Sequence, residues 1–351
     1  MKIIFFNNCW PTKDYPAIGT YAKSIVEVLE ATGADVKVCA LYSYKKTNKI
    51  IDYILFYIRL LFLPLPKDSV LYINHYVFLI PLILRLLFIR RRCVFHWHGE
   101  ELVSNSKPIC FLRWLMIKTF RSDAVHISPS RFYATSVIMK RLKIPESKII
   151  ISPSGGVDIN QFSSCIHSIN DMDTVNIGFS AALSEHKGIN YLIDLILNSV
   201  TLESKLGHKV HFHVIKYGSG SLCFERQLLE HGITNVSLYE PFKKEDLHTF
   251  YDNVHLLLFL SKRESLGLTV LESMSCGVPV LARNTSSMPE LVHSGFTGEL
   301  VDYNPTVSEI IDKIAFMVSY YSVYDPRSFV IKNYSKDSVL ANYKILLHKM
   351  C

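Results

Sequence analysis

From its first residues the chain alternates short apolar runs closed by turn residues with stretches whose apolar positions recur every three or four residues. KIIFF (2–6) is followed by a helical pattern from about Thr20 to Ala31, and then by DVKVCAL, VLYIN, CVFHWHG, AVHISPS and KIIISPSG. Apolar runs separated by helices cannot pair as hairpins, so this half predicts a parallel sheet with crossover helices. The polar segment Ser163 to Asp173 has the composition of a linker. After it the alternation restarts with TVNIGFS, KVHFHVIKYGSG, NVSLYEP, VHLLLFLS and VPVLAR. The pattern therefore predicts two α/β domains, residues 1–165 and 172–330, with a C-terminal helix over 331–351 packing back toward the first domain. Two doubly wound domains facing a common cleft turn their strand-end loops toward one ligand, which is where such sheets bind nucleotides. No internal repeat is present.

Two apolar stretches leave the picture open. Tyr53 to Leu65 is interrupted by Arg59 and Pro64, and Val77 to Ile89 is interrupted by Pro81 and Arg85 and ended by Arg90, Arg91 and Arg92. Both fall short of the roughly 18 uninterrupted apolar residues that a spanning helix needs. They read equally as core helices of the first domain or as amphipathic segments in a membrane interface, the arginines reaching headgroups. Composition adds bounds: 351 residues, 49% hydrophobic and 20% charged, can bury two ordinary cores. The net charge of +7 is spread out rather than packed into an arginine-rich arm, which argues against nucleic acid and toward anionic lipid or a phosphorylated substrate. The 8 cysteines are scattered without a CxxC pair, as expected of reduced thiols in a cytosolic compartment. MKIIFFNNCWPT at the amino terminus reads as a first strand rather than a signal peptide.

The densest chemistry lies between Ser261 and Val292, in SKRESLGLTVLESMSCGVPVLARNTSSMPELV. A helix is predicted from about Leu268 to Cys276, with Gly277 as its left-handed cap and Pro279 beyond it. Glu264 then precedes the helix and Glu272 sits about one turn inside it. The free amides around Gly267 and Leu268, with about half an elementary charge at the helix start, suit a diphosphate. Two flanking carboxylates suit sugar and ribose hydroxyls.

This run closely resembles the Glu-x7-Glu signature of GT-B glycosyltransferases of family GT4, retaining enzymes that use nucleotide sugars, and the likeness continues through Gly277, Pro279, Pro289, Glu290 and Gly298. It covers nearly the whole chain. PAIGTYAKSIVEVL resembles the glycine loop over the donor phosphates, with Gly19 in place of the usual pair. His98, followed by Gly99, Glu100 and Glu101, resembles the HG(x)(D/E) turn whose histidine contacts the transferred sugar. His96 makes a His-x-His pair, but two nitrogens without a third ligand do not make a zinc site. SGGVDINQF resembles the segment closing the first domain, with Gly155 for asparagine, Asp158 capping a turn and Phe162 packing. ALSEHKG resembles GRLxxxKG, whose arginine and lysine grip the diphosphate. Lys187 and Gly188 are present, but Ala182 stands where the arginine belongs, a loss of about 1.5–3 kcal/mol of phosphate contact that Lys262 or Arg263 is placed to offset. Gly218 and Gly220 of YGSG resemble the turn beside the donor. SLYEPF departs from the common FxGxV where base contacts are made. Asp171-Met172-Asp173 has the letters of a metal-binding DxD but falls in the linker, so no catalytic metal is expected.

The resemblance thus implies an α/β protein of two Rossmann-like doubly wound domains facing a central cleft, and a metal-independent retaining hexosyltransferase needing no cofactor besides its nucleotide-sugar substrate. His98, Glu264 and Lys187 carry catalysis; Gly19, Gly218, Ser265, Leu266, Gly267, Leu268 and Glu272 bind the donor. Surface character and family habit together imply a lipid-linked glycan acceptor at the inner face of the cytoplasmic membrane, in bacterial surface polysaccharide assembly. A soluble transferase on a small acceptor is the alternative enzyme, and a catalytically silent GT-B protein that binds a nucleotide sugar or a partner is the alternative from another class.

Overall fold

The structure, a computed structural model, describes all residues except 13–17, 43–48, 121–122, 164–172 and 351. The chain divides into two compact units, Met1–Gly156 with Lys336–Cys351, and Val157–Ser335.

In the first unit six parallel strands, β1 (Lys2–Asn7), β2 (Asp35–Ala40), β3 (Ser69–Asn74), β4 (Arg92–His96), β5 (Val125–Ser128) and β6 (Ile149–Ile151), are ordered β2-β1-β3-β4-β5-β6. Side chains alternate between the faces of a strand, and β1 does so with apolar residues on both. Ile3 and Phe5 enter one core with the helices Thr20–Ala31 and Lys336–Met350, while Ile4 and Phe6 enter another beneath the helices Lys49–Phe62, Ile80–Phe88 and Lys107–Ile117. The helix Thr20–Ala31 buries Ala22, Ile25, Val26 and Leu29, the stripe that a 3.6-residue period places on one side. The two ambiguous apolar stretches are helices with one face in the core, through Phe56, Leu60, Leu82, Ile83 and Leu86. Among the described residues no helix is long and apolar enough to cross a membrane.

In the second unit the strands are β7 (Thr174–Phe179), β8 (Lys209–Ile215), β9 (Val236–Tyr239), β10 (Leu256–Phe259), β11 (Val280–Arg283) and β12 (Gly298–Val301), all parallel, in the order β12-β11-β10-β7-β8-β9. Numbered within the unit this is 6-5-4-1-2-3, the dinucleotide-fold order, with its switch point between β7 and β10. The approach of β12 to β11 is close enough that a Cβ on Gly298 would lie 2.0 Å from the Val280 oxygen.

The expected division of the chain moves. Residues 157–162 belong to the second unit rather than closing the first, because the Val157 amide donates to the Tyr334 oxygen (2.8 Å) and Phe162 is buried in the second core. Asp158 does cap the turn, accepting from the amides of Asn160 and Gln161. Gly155 stays in the first unit, where a Cβ would lie 2.4 Å from the Ser24 carbonyl carbon. At the other end the helix Pro326–Tyr334 remains in the second unit, and only Lys336 onward returns to the first. The greater part of the linker, with Asp171 and Met172 of the DxD, lies outside the described residues.

The returning helix Lys336–Met350 is held by apolar burial of Val339, Tyr343 and Leu346, and by a hydroxyl chain. Tyr343 Oη donates to the Ser154 oxygen (3.1 Å) and lies 3.1 Å from Tyr72 Oη, which lies 2.8 Å from His96 Nδ1. Tyr343→Phe leaves the ring packing and removes the hydroxyl, so urea unfolding of the first unit should show a loss of about 1–2 kcal/mol; an unchanged midpoint would mean that this chain does not hold the helix.

Candidate functional site

At the switch point the loops that follow β7 and β10 leave neighbouring strand ends, and three ties join them. The Lys262 amide donates to the His186 oxygen (2.9 Å), Lys262 Nζ pairs with Glu185 (2.7 Å), and Lys187 Nζ pairs with Glu264 Oε1. Gly188 permits the approach: it has φ 90° and a Cβ there would lie 2.6 Å from the Leu260 oxygen. The Lys187–Glu264 pair is partly exposed, its side chains retaining 30% and 16% of their surface, so it adds only about 1 kcal/mol to the fold while fixing both groups in place.

Gly267 follows with φ 101° and ψ 60°, the left-handed N-cap of the helix Leu268–Ser275. A side chain there would be strained by its backbone, and a Cβ would lie 2.7 Å from Met288 Cε. The helix ends as its punctuation predicts, with Cys276 as cap and Gly277 at φ 87°. No side chain caps the N-terminus of this helix. The loop after β11 clamps the turn from behind: Ser287 Oγ donates to the Leu266 oxygen (2.8 Å) and Thr285 Oγ1 to the Lys262 oxygen (3.3 Å).

Glu272, one turn into the helix, is half-buried, and burial pushes its carboxyl up to about 7, with Lys244 partly opposing. Tyr217, just beyond β8, is 39% exposed and donates its hydroxyl to the Ser180 oxygen (3.2 Å). Its hydroxyl is raised by burial and then by the charges of Glu264 and Glu272, so the ring lies within the field of both carboxylates. The YGSG turn is stitched to the loop after β7: the Leu183 amide donates to the Tyr217 oxygen (2.7 Å) and the Gly220 amide to the Leu183 oxygen (2.8 Å). Gly218 is needed there, since a Cβ would lie 2.9 Å from the Leu183 nitrogen.

Of the residues expected from sequence, Lys187, Gly218, Glu264, Ser265, Leu266, Gly267, Leu268 and Glu272 are all carried by three strand-end loops and one helix of the second unit. Leu266 is buried, and the hydrogen bond to Ser287 uses its oxygen. Lys262, one of the two residues expected to offset the arginine absent at Ala182, pairs here with Glu185 (2.7 Å). Tyr217 and Ser287 were not singled out by the sequence. A tyrosine directly before a glycine turn was the available sign for the first; nothing marked the second.

Gly19 and His98 lie in the first unit. Gly19 (φ 77°) is the N-cap of the helix Thr20–Ala31, and Tyr21, two residues on, meets the His98 ring edge-on with centroids 5.0 Å apart. His98 stacks between His75 (4.5 Å) and His96 (4.4 Å). Its Nε2 lies 2.9 Å from Asn74 Oδ1, and Asn74 Nδ2 is committed to the Phe6 oxygen (3.1 Å). The amide oxygen must accept, so His98 holds its proton on Nε2 and keeps Nδ1 as an acceptor. Burial, with the neighbouring imidazoles, keeps the ring neutral by driving its pKa well below the ordinary value. Glu101, buried behind it, accepts from the His98 amide (2.7 Å). Among the described residues no three His, Cys, Asp or Glu side chains are arranged to hold a metal ion.

Comparison with known proteins places this arrangement. The family described as glycosyl transferases group 1 matches residues 167–333. The uncharacterized 41.2 kDa protein in the cps region of Klebsiella pneumoniae is 30% identical over 169 residues, 46% of this chain and 43% of that protein. The chain thus matches less than half the length of this curated relative. Among solved structures, sucrose-phosphate synthase from Thermosynechococcus elongatus superposes with a TM-score of 0.76 at 13% identity, covering 99% of this chain and 98% of that one. Anabaena Alr3699/HepE, solved with UDP and glucose, superposes with a TM-score of 0.73 at 16% identity, covering 99% of both. The matched segment lies in the second unit, which is thus similar to the glycosyl transferases group 1 family, and the two doubly wound units share the GT-B fold of the superposed structures.

Proposed function

We propose that the chain is a retaining, metal-independent glycosyltransferase that moves a hexose or related sugar from a UDP- or GDP-sugar to a lipid-linked glycan acceptor at the inner face of the cytoplasmic membrane, in assembly of a bacterial surface polysaccharide. One observation carries this reading: the Lys187–Glu264 pair at the switch point, beside the uncapped helix start at Gly267. The Klebsiella relative from a cps region and the UDP-bound neighbour support the polysaccharide context and the nucleotide class.

In this reading the donor diphosphate lies against the Gly267 and Leu268 amides and takes Lys187 Nζ as its counter-charge, which frees Glu264 to accept from hydroxyls of the transferred sugar. Gly218, Ser265 and Leu266 shape the wall of the donor site, and Glu272 accepts from the ribose. In the first unit Gly19 starts the helix of the donor-phosphate loop, and neutral His98 offers Nδ1 to a sugar hydroxyl. Transfer is a front-face substitution. The bond from the anomeric carbon to the diphosphate oxygen breaks, a bond to the acceptor oxygen forms on the same face, and the acceptor proton passes to the departing oxygen. The protein supplies position and stabilisation of the leaving charge rather than a nucleophile.

The direct test is turnover of UDP- and GDP-sugars, followed as free nucleotide, with stabilisation by UDP, GDP and ADP measured in parallel; a nucleotide at about 100 times its dissociation constant adds about 2.7 kcal/mol. Saturable binding without turnover would identify a silent binding protein instead. Glu264→Ala should lower turnover at least about tenfold with the melting temperature preserved; near-normal turnover by this variant sinks the assignment. Activity should also survive exhaustive chelation, and a loss restored by magnesium or manganese would refute metal independence.

Glu272 makes a prediction in pH. Its carboxyl stands at about 7 in the fold against 4.5 ordinarily, so the folded state binds the proton more tightly. Stability is then greatest below the unfolded value and is lost as pH rises through the folded one. Glu272→Gln removes that penalty and should raise stability at pH 8 by on the order of 1–3 kcal/mol, with the gain vanishing toward pH 4, while weakening nucleotide stabilisation. A variant less stable than wild type at pH 8 would contradict the carboxylate's unfavourable burial.

A further inference from the structure

The helix Lys49–Phe62 buries one face and leaves the other apolar and bare. Ile50, Ile54, Leu55, Ile58, Leu61 and Phe62 are exposed, Ile50 and Phe62 each at 78%. They recur at helical spacing along one stripe, which on a helix enclosed by its own unit would be polar. The helix Ile80–Phe88 packs beside it and ends at Phe88, 88% exposed, and the helix Lys107–Ile117 packs next and exposes Phe111 and Trp114, stacked 5.9 Å apart.

Beside the apolar helix ends lies a basic cup. An open pocket of about 990 Å³ is lined by Lys67, Arg90, Arg91, Arg92, Phe120 and Asp123, together with Ile89. The cup is tied to the apolar face, because Arg91 donates to the Leu65 oxygen (2.9 Å) and Arg85 to the oxygens of Leu60 (2.7 Å) and Leu63 (2.9 Å). Residues 49–92 hold seven Lys or Arg against Asp52 and Asp68, a net +5 in a chain whose total is +7.

We infer that this face docks the chain on an anionic lipid surface, the apolar stripe entering the headgroup boundary and the cup of Lys67 and Arg90–Arg92 receiving phosphate headgroups. The helix of 14 residues is about 21 Å long, too short for a hydrocarbon core of about 30 Å, so it lies on the bilayer rather than through it. Charge selects the occupant: a second copy seated on this face would bring its own net +5 segment against the first, whereas an anionic leaflet complements both the cup and the stripe. The inference deepens the membrane-side acceptor of the proposed function and rests on that reading only for the acceptor; docking needs no nucleotide sugar.

The test is co-sedimentation of the full chain with vesicles of phosphatidylglycerol in phosphatidylcholine, with no nucleotide present, so that docking and transferase chemistry can fail separately. Wild type should bind these vesicles at least about tenfold more tightly than pure phosphatidylcholine and be released as salt approaches about 0.5 M. The stripe variant Ile54→Ser/Ile58→Ser/Phe62→Ser and the cup variant Lys67→Gln/Arg90→Gln should each lose binding about tenfold, with the melting temperature unchanged since all five side chains point outward or line an open pocket. The cup variant serves alone if the stripe variant does not fold. Wild type that ignores anionic vesicles at low salt overturns the inference, as does a variant that binds like wild type. Concentration-dependent dimerisation in analytical ultracentrifugation that the stripe variant abolishes also overturns it, by giving the face to a second copy.

Discussion

A doubly wound sheet sends its crossovers to opposite faces on either side of one strand pair, and in the second unit that pair is β7 and β10. The loops leaving their carboxyl ends part there, and a crevice opens because no helix can fill it. Such a gap holds a ligand only if its walls stay in register, and here register comes from the Lys187–Glu264 pair and the Lys262–His186 backbone bond across the gap. Gly188 and Gly267 make the closeness possible, one by letting the Leu260 oxygen approach and the other by starting a helix from a left-handed turn. The ion pair contributes little to stability. Its consequence, on the proposed function, is preorganisation: a cation and a carboxylate are already placed where a diphosphate and a polyol would meet.

That part of the molecule was legible in the sequence because local chemistry fixes it. A glycine before LTVLES, a glycine after Cys276 and a proline at 279 define a helix whatever surrounds them, and the structure has that helix at Leu268–Ser275. Strand and crossover alternation was equally legible, since the central runs β1, β3 and β10 are apolar and buried on both faces. The division of the chain was not. Val157–Phe162 joins the second unit through a backbone bond to Tyr334 and the burial of Phe162, contacts more than a hundred residues apart that no local pattern reports. Separation in sequence, 21 residues for the clamp from Ser287, likewise hid that clamp and the placing of Tyr217 within the field of two carboxylates. The need for glycine at 155 was invisible too, because it is set by the backbone of Ser24 in another element.

The apolar stretches of the first unit show why hydrophobic pattern alone left two readings. A helix apolar all round is either buried or beside another apolar phase. The helix Lys49–Phe62 divides its apolar residues: Phe56 and Leu60 fill the core while Ile54, Leu55 and Ile58 face outward. Sequence reports the sum of the two faces, and only the packing separates them.

On the proposed function the Lys187–Glu264 pair and the start of the helix at Leu268 form a preset donor site. This assignment is tested most directly by a crystal structure of the chain with UDP or GDP bound. The diphosphate should lie within hydrogen-bond distance of the Gly267 or Leu268 amide and of Lys187 Nζ, with Glu272 on the ribose and Glu264 released toward the position of the transferred sugar. A nucleotide bound elsewhere, with Lys187 still paired to Glu264, would contradict it.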